Sequence, residues 1–317
     1  MAIAMKAKTG FGRIGVLMGG PSRERDISLR SAAAVCESLK RQGLDVVPLD
    51  ITTDDFAANA ALIRQNEIDC AFVALHGRFG EDGQIQKILE DLRIPYTGSG
   101  VEASRRAMDK VVSQDVFRRA GLSVPAYVGI ERAAYERNEG ADMPFPLPWV
   151  VKPCREGSSI GLSIIEGAGD LRRALELAFG SDDTVMVQQY IRGRELTVAI
   201  LDGRPLPVIE IVTTRKFFDY EAKYQNGFTD YIVPAALDER VASLVRKAAV
   251  SAHQALGCSG YSRVDIILSP EGTPYILELN NIPGLTQTSL LPKAARCAGI
   301  DFDHLCITML RSIYEKK

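Results

Sequence analysis

The chain has 317 residues, 46% hydrophobic and 25% charged, with a formal net charge of −2. This length allows two or three domains, and the balanced charge excludes a global basic field of the kind that nucleic acid binding needs. The six cysteines are scattered and form no CxxC pair, which indicates thiols in a reducing cytosol rather than a disulfide framework or a zinc site. Because no run approaches the roughly 20 apolar residues of a membrane span, we expect a soluble, cytoplasmic protein.

The first hundred residues alternate strand and helix patterns. Apolar strand patterns lie at 13–18, 45–49, 70–75 and 94–97, and helical patterns lie at 28–41 and 84–92. This alternation predicts a parallel sheet with helices on its faces.

The remaining two thirds contain further strand and helix patterns. Helices are predicted at 101–120, 170–179 and 238–256, strands at 126–130, 149–152 and 184–190, and a surface connection at 143–148. Strands dominate from Arg194 onward, and a helix pair follows Ser289. The simplest organisation is an α/β (α+β) fold of three α/β domains, 1–98, 99–188 and 189–317, with the active groove between them.

Two strand patterns near the C-terminus carry polar side chains at alternating positions. Arg263 and Asp265 share a face of the strand 261–268, and Glu278 and Asn280 share a face of the following strand. Because residues 269–272 have turn chemistry, the strands should pair as a hairpin and bring the two carboxylates within cross-strand reach. Carboxylate and amide oxygens suit magnesium beside nucleotide phosphates. The alternative is an exposed hairpin face with a surface ion pair.

Four loops follow predicted strands and hold groups that bind small ligands. The segment 152–161 contains Lys152 and a Gly-Ser-Ser sequence that can cradle phosphate, or it is an ordinary polar hairpin. Glu24 can receive an ammonium at a strand end, or it complements a helix dipole. The glycine-rich loop that begins at His76 can close over a small ligand, or it is a simple connection. Ser289 and the Gly284 N–H can bind a carboxylate and an oxyanion, or Thr288 or Ser289 caps a helix.

Taken together, these segments resemble the ATP-grasp ligases, and within them the D-alanine–D-alanine ligases. The resemblance runs from about Gly12 to the C-terminal helix. The motifs that carry it are Gly-Gly-x-Ser-x-Glu-Arg at 19–25, His-Gly-Arg-x-Gly-Glu-Asp-Gly at 76–83, Pro-Tyr-Thr-Gly-Ser-Gly at 95–100, Met-Asp-Lys at 108–110, Lys-Pro-x-Arg-Glu-Gly-Ser-Ser at 152–159, Asp-Tyr-Glu-Ala-Lys-Tyr at 219–224, Arg-Val-Asp at 263–265 and Glu-Leu-Asn-Asn-Ile-Pro-Gly at 278–284.

The resemblance implies how ATP and metal are bound. The residues that it assigns to ATP are Lys110, Lys152, Ser158, Ser159, Gln188, Tyr190, Ile191, Glu195, Lys223 and Asn280. Relatives often have Glu where Gln188 stands, so adenine binding is expected to survive through the amide oxygen while the purine preference is open. Two Mg²⁺ or Mn²⁺ ions would be held by Asp265, Glu278 and Asn280.

The resemblance also implies the substrates and the product. Two D-alanine molecules would be joined through an acyl phosphate to make D-alanyl-D-alanine for peptidoglycan, by a homodimer that contacts neither nucleic acid nor membrane. The residues that it assigns to D-alanine and to catalysis are Glu24, His76, Ser158, Tyr224, Arg263, Gly284, Ser289 and Leu290. The hydroxyl of Tyr224 predicts an amine acceptor and not D-lactate. The alternatives are D-alanine–D-lactate ligation, another ATP-grasp carboxylate–amine ligase, and a catalytically silent nucleotide-binding regulator.

Overall fold

The N-terminal part of the chain forms a parallel sheet between two helical layers. The computed structural model describes residues 10–137, 143–213 and 229–314. Three parallel strands lie in the order β2–β1–β3. Ile14 and Val16 of β1 pack toward α1, whereas Leu17 packs toward α2 and α3. The elements are β1 (Arg13–Gly19), α1 (Arg25–Arg41), β2 (Asp45–Ile51), α2 (Phe56–Gln65), β3 (Cys70–Val73) and α3 (Gln84–Asp91).

Two details of this part differ from the prediction. The helix α2 was not predicted, because its only buried residues are Asn59 and Ile63 and the apolar stripe is too sparse to recognise. The predicted strand at 94–97 is reduced to a single bridge between Ala71 and Tyr96. The predicted parallel sheet is otherwise confirmed.

The central part forms an antiparallel sheet in the order β4–β7–β5–β6. The predicted helix at 101–120 is two helices, because Asp109 leaves the helical conformation and its carboxylate accepts from the N–H groups of Val111 and Val112. Lys110 therefore begins a helix instead of lying inside one. The elements are α4 (Val101–Met108), α5 (Lys110–Arg119), β4 (Tyr127–Glu131), α6 (Arg132–Glu136), β5 (Trp149–Pro153), β6 (Ser163–Ile165), α7 (Leu171–Phe179) and β7 (Thr184–Gln189).

The C-terminal part forms an antiparallel sheet in the order β11–β10–β8–β12–β13, with β9 paired to β8. One face of this sheet packs on α8, and the other shares a core with β1, α1 and the last two helices. The N-terminal and C-terminal parts are thus joined by one apolar core. The elements are β8 (Arg194–Leu201), β9 (Arg204–Pro205), β10 (Ile209–Thr213), β11 (Thr229–Ile232), α8 (Glu239–Leu256), β12 (Tyr261–Leu268), β13 (Pro274–Asn280), α9 (Leu290–Cys297) and α10 (Phe302–Arg311).

Candidate active site

The predicted hairpin of β12 and β13 brings the two carboxylates face to face. Asp265 is paired directly with Glu278, and Arg263 with Asn280. Arg263 donates from Nε and Nη2 to the Asp265 carboxylate at 2.9 and 2.7 Å. The Lys110 ammonium lies 3.7 Å from Glu278 Oε2, and its side chain is only 11% exposed. The hairpin is therefore not an exposed strand pair, and Lys110 is not a solvated surface lysine.

The oxygens of this hairpin are of the hard type that binds divalent cations. Thr197 Oγ1 donates to Asp265 Oδ1 at 2.6 Å, and the Ile282 N–H donates to Asn280 Oδ1 at 3.1 Å. Within the described ranges no group of three His, Cys, Asp or Glu side chains could by itself hold a metal ion. Two carboxylates and one amide fit Mg²⁺ only if other oxygens, such as phosphate, complete its shell of about six ligands.

A cavity of about 470 Å³ lies between the central and C-terminal sheets. On the central sheet, Gln188, Val150 and Ile164 are cross-strand neighbours along one wall. On the C-terminal sheet, Ile211, Glu195 and Ile267 form a matching row. The two facing rows are thus apolar except for the Gln188 amide and the Glu195 carboxylate, and Lys152 also lines the cavity. We call it the inter-sheet cavity.

The inter-sheet cavity contains a buried amide. Gln188 is 2% exposed, and its Nε2 has no hydrogen-bond partner among the described residues. Tyr190 and Ile191, which follow the strand, also line the cavity. A polar group between apolar side chains is the usual arrangement of a pocket that orients a flat, partly apolar ligand.

The loop after β5 crosses from this cavity toward the N-terminal sheet. Ser158 and Ser159 have φ of +51° and +59°, the left-handed region that non-glycine residues seldom adopt. Ser158 Oγ donates to Glu24 Oε1 in a short hydrogen bond. Lys110 Nζ donates to the Glu156 carbonyl at 2.7 Å. The N-terminal part and α5 therefore both hold this loop.

A second cavity, of about 420 Å³, lies between that loop, the N-terminal strand ends and the segment before α9. We call it the loop cavity. Glu24 occupies the N-cap position of α1 but makes no side-chain capping bond, and Ser289 does the same at α9. Neither side chain is used as a helix cap, and both line the cavity. The predicted residues that line it are Glu24, His76, Lys110, Ser158, Arg263, Glu278, Asn280, Gly284, Ser289 and Leu290.

Gly284 occupies a position where the Ser289 side chain leaves no room for a larger residue. A Cβ at Gly284 would stand 2.8 Å from Ser289 Oγ, so a larger residue would displace that hydroxyl. Ser289 Oγ also accepts from the Thr286 N–H at 3.1 Å and contacts Thr286 Oγ1 at 2.8 Å. The segment before α9 is thus folded around its own hydroxyl groups.

His76 lines the loop cavity but is held by the protein on both sides of its ring. Nε2 lies 3.1 Å from Ser31 Oγ, and Nδ1 lies 3.1 Å from the Ile282 carbonyl oxygen. Glu81 Oε1 is 3.4 Å from Nδ1, and burial raises the pKa of that carboxyl. His76 therefore joins the N-terminal strand end to the loop that carries Gly284.

The two cavities meet along a shared boundary. The residues that line both are Lys110, Glu156, Gly157, Ser158 and Glu278. A group bound at this boundary faces the ammonium of Lys110 and the carboxylate of Glu278. The arrangement suits transfer of an anionic group from a ligand in one cavity to a ligand in the other.

The structure brings together the predicted residues that it describes. Two predicted residues, Lys223 and Tyr224, lie outside the described residues. Glu156, Tyr231 and Lys293 also line one or both cavities and were not predicted from the sequence. Glu156 stands inside the motif at 152–159 and was open to detection, whereas no local pattern marks Lys293.

Comparisons with known proteins agree with this geometry. The family model described as D-ala D-ala ligase C-terminus matches residues 116–311, and the one described as D-ala D-ala ligase N-terminus matches residues 13–62 and 53–99. The chain is 48% identical to a D-alanine–D-alanine ligase of Anaeromyxobacter sp. strain K over 94% of this chain and 96% of that protein.

Two solved structures resemble the fold over almost its whole length. A D-alanine–D-alanine ligase from Bacillus anthracis complexed with ATP is 33% identical, with a TM-score of 0.82 over 96% of this chain and 98% of the other. The VanG D-Ala:D-Ser ligase from Enterococcus faecalis is 30% identical, with a TM-score of 0.82 over 95% and 99% of the two chains. The three-part fold described above is therefore an ATP-grasp fold.

Proposed function

The chain belongs to the D-alanine–D-alanine ligase family and is an ATP-dependent ligase that joins two D-alanine molecules for cell wall synthesis, and we propose that ATP occupies the inter-sheet cavity while both D-alanines occupy the loop cavity. The observation that carries this placement is the boundary shared by the two cavities. Lys110, Glu278 and Ser158 line both, so a γ-phosphoryl group and a carboxylate can meet there.

The inter-sheet cavity divides into a base end and a phosphate end. Gln188, Tyr190 and Ile191 would hold the adenine, and Glu195 the ribose hydroxyls. Lys110 and Lys152 would contact the phosphates, with Ser158 and Ser159 above them. The apolar rows on the two facing sheets support this order, because a purine stacks between apolar side chains whereas phosphates need cations.

Asp265, Glu278 and Asn280 would hold two Mg²⁺ or Mn²⁺ ions beside these phosphates. When bound, such ions neutralise phosphate charge and orient the oxygens that take part in transfer. The direct pairing of the two carboxylates and the hard-ligand set support this assignment. Arg263 and Lys110 keep these carboxylates in place through their own contacts with them.

The reaction would proceed in two steps at the shared boundary. Glu24 would bind the ammonium of the first D-alanine, and Arg263 with the Gly284 N–H its carboxylate. A carboxylate oxygen attacks the γ-phosphorus and ADP leaves, which gives an acyl phosphate. The neutral amine of the second D-alanine, held near Ser289 and Leu290, then attacks the acyl carbon. The Gly284 N–H donates to the resulting oxyanion, and phosphate leaves with the proton that the amine loses as the peptide bond forms.

The acyl phosphate must be shielded from water. The Ser158 bond to Glu24 supports a lid function for the loop after β5, since it fastens that loop over the boundary. Lys223, near the transferred phosphoryl group, and Tyr224, near the acceptor amine, remain proposals from the family resemblance.

The test is ADP and phosphate release with ATP, magnesium and a panel of D-alanine, D-serine and D-lactate. We expect release with D-alanine alone and a dipeptide product. Equal release with D-serine or D-lactate as the partner of D-alanine would show that the protein does not select D-alanine as its acceptor. Nucleotide binding without release under any of these conditions would favour the catalytically silent regulator.

We further propose a cytoplasmic homodimer, on the family resemblance. No helix of the described residues is long and apolar enough to cross a membrane. Light scattering after size-exclusion chromatography should give twice the mass of a 34.6 kDa chain. A single-chain mass at micromolar concentration would contradict the dimer.

A further inference from the structure

Lys293 lines the loop cavity, but it has no role in the reaction described above. It lies on α9, one turn after Ser289, and its backbone N–H donates to the Ser289 carbonyl at 3.2 Å. Its ammonium stands over the ring of Tyr231, 3.9 Å from the ring centroid. An aromatic face attracts a cation in this geometry and fixes its position. Both side chains line the loop cavity.

The other cations of this cavity are already occupied or exposed. Lys110 faces Glu278 at 3.7 Å, and Arg263 makes two hydrogen bonds to Asp265. Arg30 is exposed and donates to the Asp26 carbonyl. Lys293, by contrast, has no carboxylate within 4.0 Å anywhere in the described ranges.

Burying the charged ammonium of Lys293 costs free energy unless an anion lies beside it. The side chain is half-buried, and this burial lowers the pKa of Lys293. The Tyr231 ring offsets part of that cost but carries no negative charge. The end of the loop cavity near α9 is therefore a place where a bound anion is stabilised.

Hydroxyl groups surround the same end of the cavity. Thr286 Oγ1 lies 2.8 Å from Ser289 Oγ and 3.2 Å from Thr288 Oγ1, and all three residues line the cavity. A cation next to a cluster of hydroxyl donors matches a carboxylate, which has two acceptor oxygens. Both D-alanines bring a carboxylate, but that of the first must lie at the shared boundary to be phosphorylated.

We propose that Lys293 binds the carboxylate of the acceptor amino acid, with Tyr231 as the platform that holds its ammonium in place. This inference rests on the proposed function, because it assigns the acceptor to the end of the loop cavity near α9. Lys293 then selects acceptors that have a free carboxylate and leaves the amine as the end that reaches the acyl phosphate.

The test compares Lys293→Met with Lys293→Arg, which keeps the charge. Lys247→Met is the matched control, since Lys247 is exposed on α8. ADP formation is measured against D-alanine concentration at saturating ATP, so that the KM values for the first and second D-alanine are resolved. A second series at saturating D-alanine gives the KM for ATP. D-Alaninamide, which has no carboxylate, serves as a second acceptor.

Lys293→Met should raise the KM for the second D-alanine about tenfold to a hundredfold, the ordinary loss for one hydrogen bond to a charged group. The KM for ATP and for the first D-alanine should stay unchanged. Turnover with D-alaninamide should be equal in Lys293→Met and the unaltered protein, and Lys293→Arg should recover most of the loss.

Other results would overturn the inference. An unchanged KM for the second D-alanine in Lys293→Met would show that Lys293 does not contact the acceptor carboxylate. A joint rise of all three KM values, or no recovery in Lys293→Arg, shows a structural role instead. Failure of the proposed function is seen separately, because the unaltered protein would then form no ADP with D-alanine, and this inference would fall with it.

Discussion

The two cavities are built in different ways. The walls of the inter-sheet cavity are rows of strand side chains from two facing sheets, such as Gln188 with Val150 and Glu195 with Ile267. The loop cavity is assembled from strand ends, loops and the start of a helix, which contribute Glu24, His76, Ser158, Gly284 and Ser289. Positions on a sheet are fixed by backbone pairing along whole strands, whereas positions on loops depend on a few side-chain contacts. Substitutions in the two cavities should therefore act differently.

The largest effect is expected in the strand-held metal set. Asp265→Asn keeps the size of the side chain and its bond from Thr197 but removes the charge opposite Glu278. We expect D-alanine-dependent ADP release to fall about a thousandfold, as losses of this kind of charge stabilisation do. Exposed Asp54→Asn is the control, and the unfolding temperature of each variant checks the fold. Undiminished ADP release in Asp265→Asn would show that this carboxylate of the hairpin is not needed for catalysis.

A second prediction concerns the contact that α8 makes with β12, the first strand of the hairpin. His253 of α8 is 4% exposed and contacts Ser262 Oγ of β12 through Nδ1 at 2.8 Å. Burial lowers the pKa of His253 to about 4 from an ordinary value of 6.5. Below pH 6.5 His253 takes up a proton in the unfolded chain but stays neutral in the folded protein. The free energy of unfolding therefore falls as the pH is lowered, until His253 is protonated in the folded protein too, at about pH 4.

Between pH 7.5 and 4.5 this one group should cost the fold about 2.5 kcal/mol. His253→Gln, which keeps a hydrogen-bonding group but cannot titrate, should lose that much less free energy of unfolding over the same range. Urea unfolding of both proteins at the two pH values measures the difference, because the other titrating groups are common to them. Equal losses in the two proteins would show that His253 titrates normally.

The contrast between the cavities also explains what the sequence could predict. Strand alternation and a turn were enough to place Asp265 opposite Glu278, since both are local properties of the chain. The contact of Ser158 with Glu24 spans 134 residues and that of His76 with Ile282 spans 206, so no local pattern contains them. The residue types marked each loop as a candidate ligand site, but only the family resemblance placed the loops in one site. The apolar pattern alone gave no sign of Lys110, because Asp109 breaks a helix that this pattern makes continuous.

The smallest effect is expected in the loop cavity, where one hydrogen bond joins two distant segments. Glu24→Ala and Ser158→Ala should each lower kcat/KM for D-alanine about tenfold to a hundredfold, the range for a lost bond to a charged group. Glu37→Ala, exposed on the same helix as Glu24, is the control. Because both substitutions break the same bond, the double variant should be little worse than Glu24→Ala alone. Fully additive losses would instead mean that Glu24 and Ser158 act on substrate independently, and that the loop after β5 is held over the shared boundary by other contacts such as the one from Lys110 to the Glu156 carbonyl.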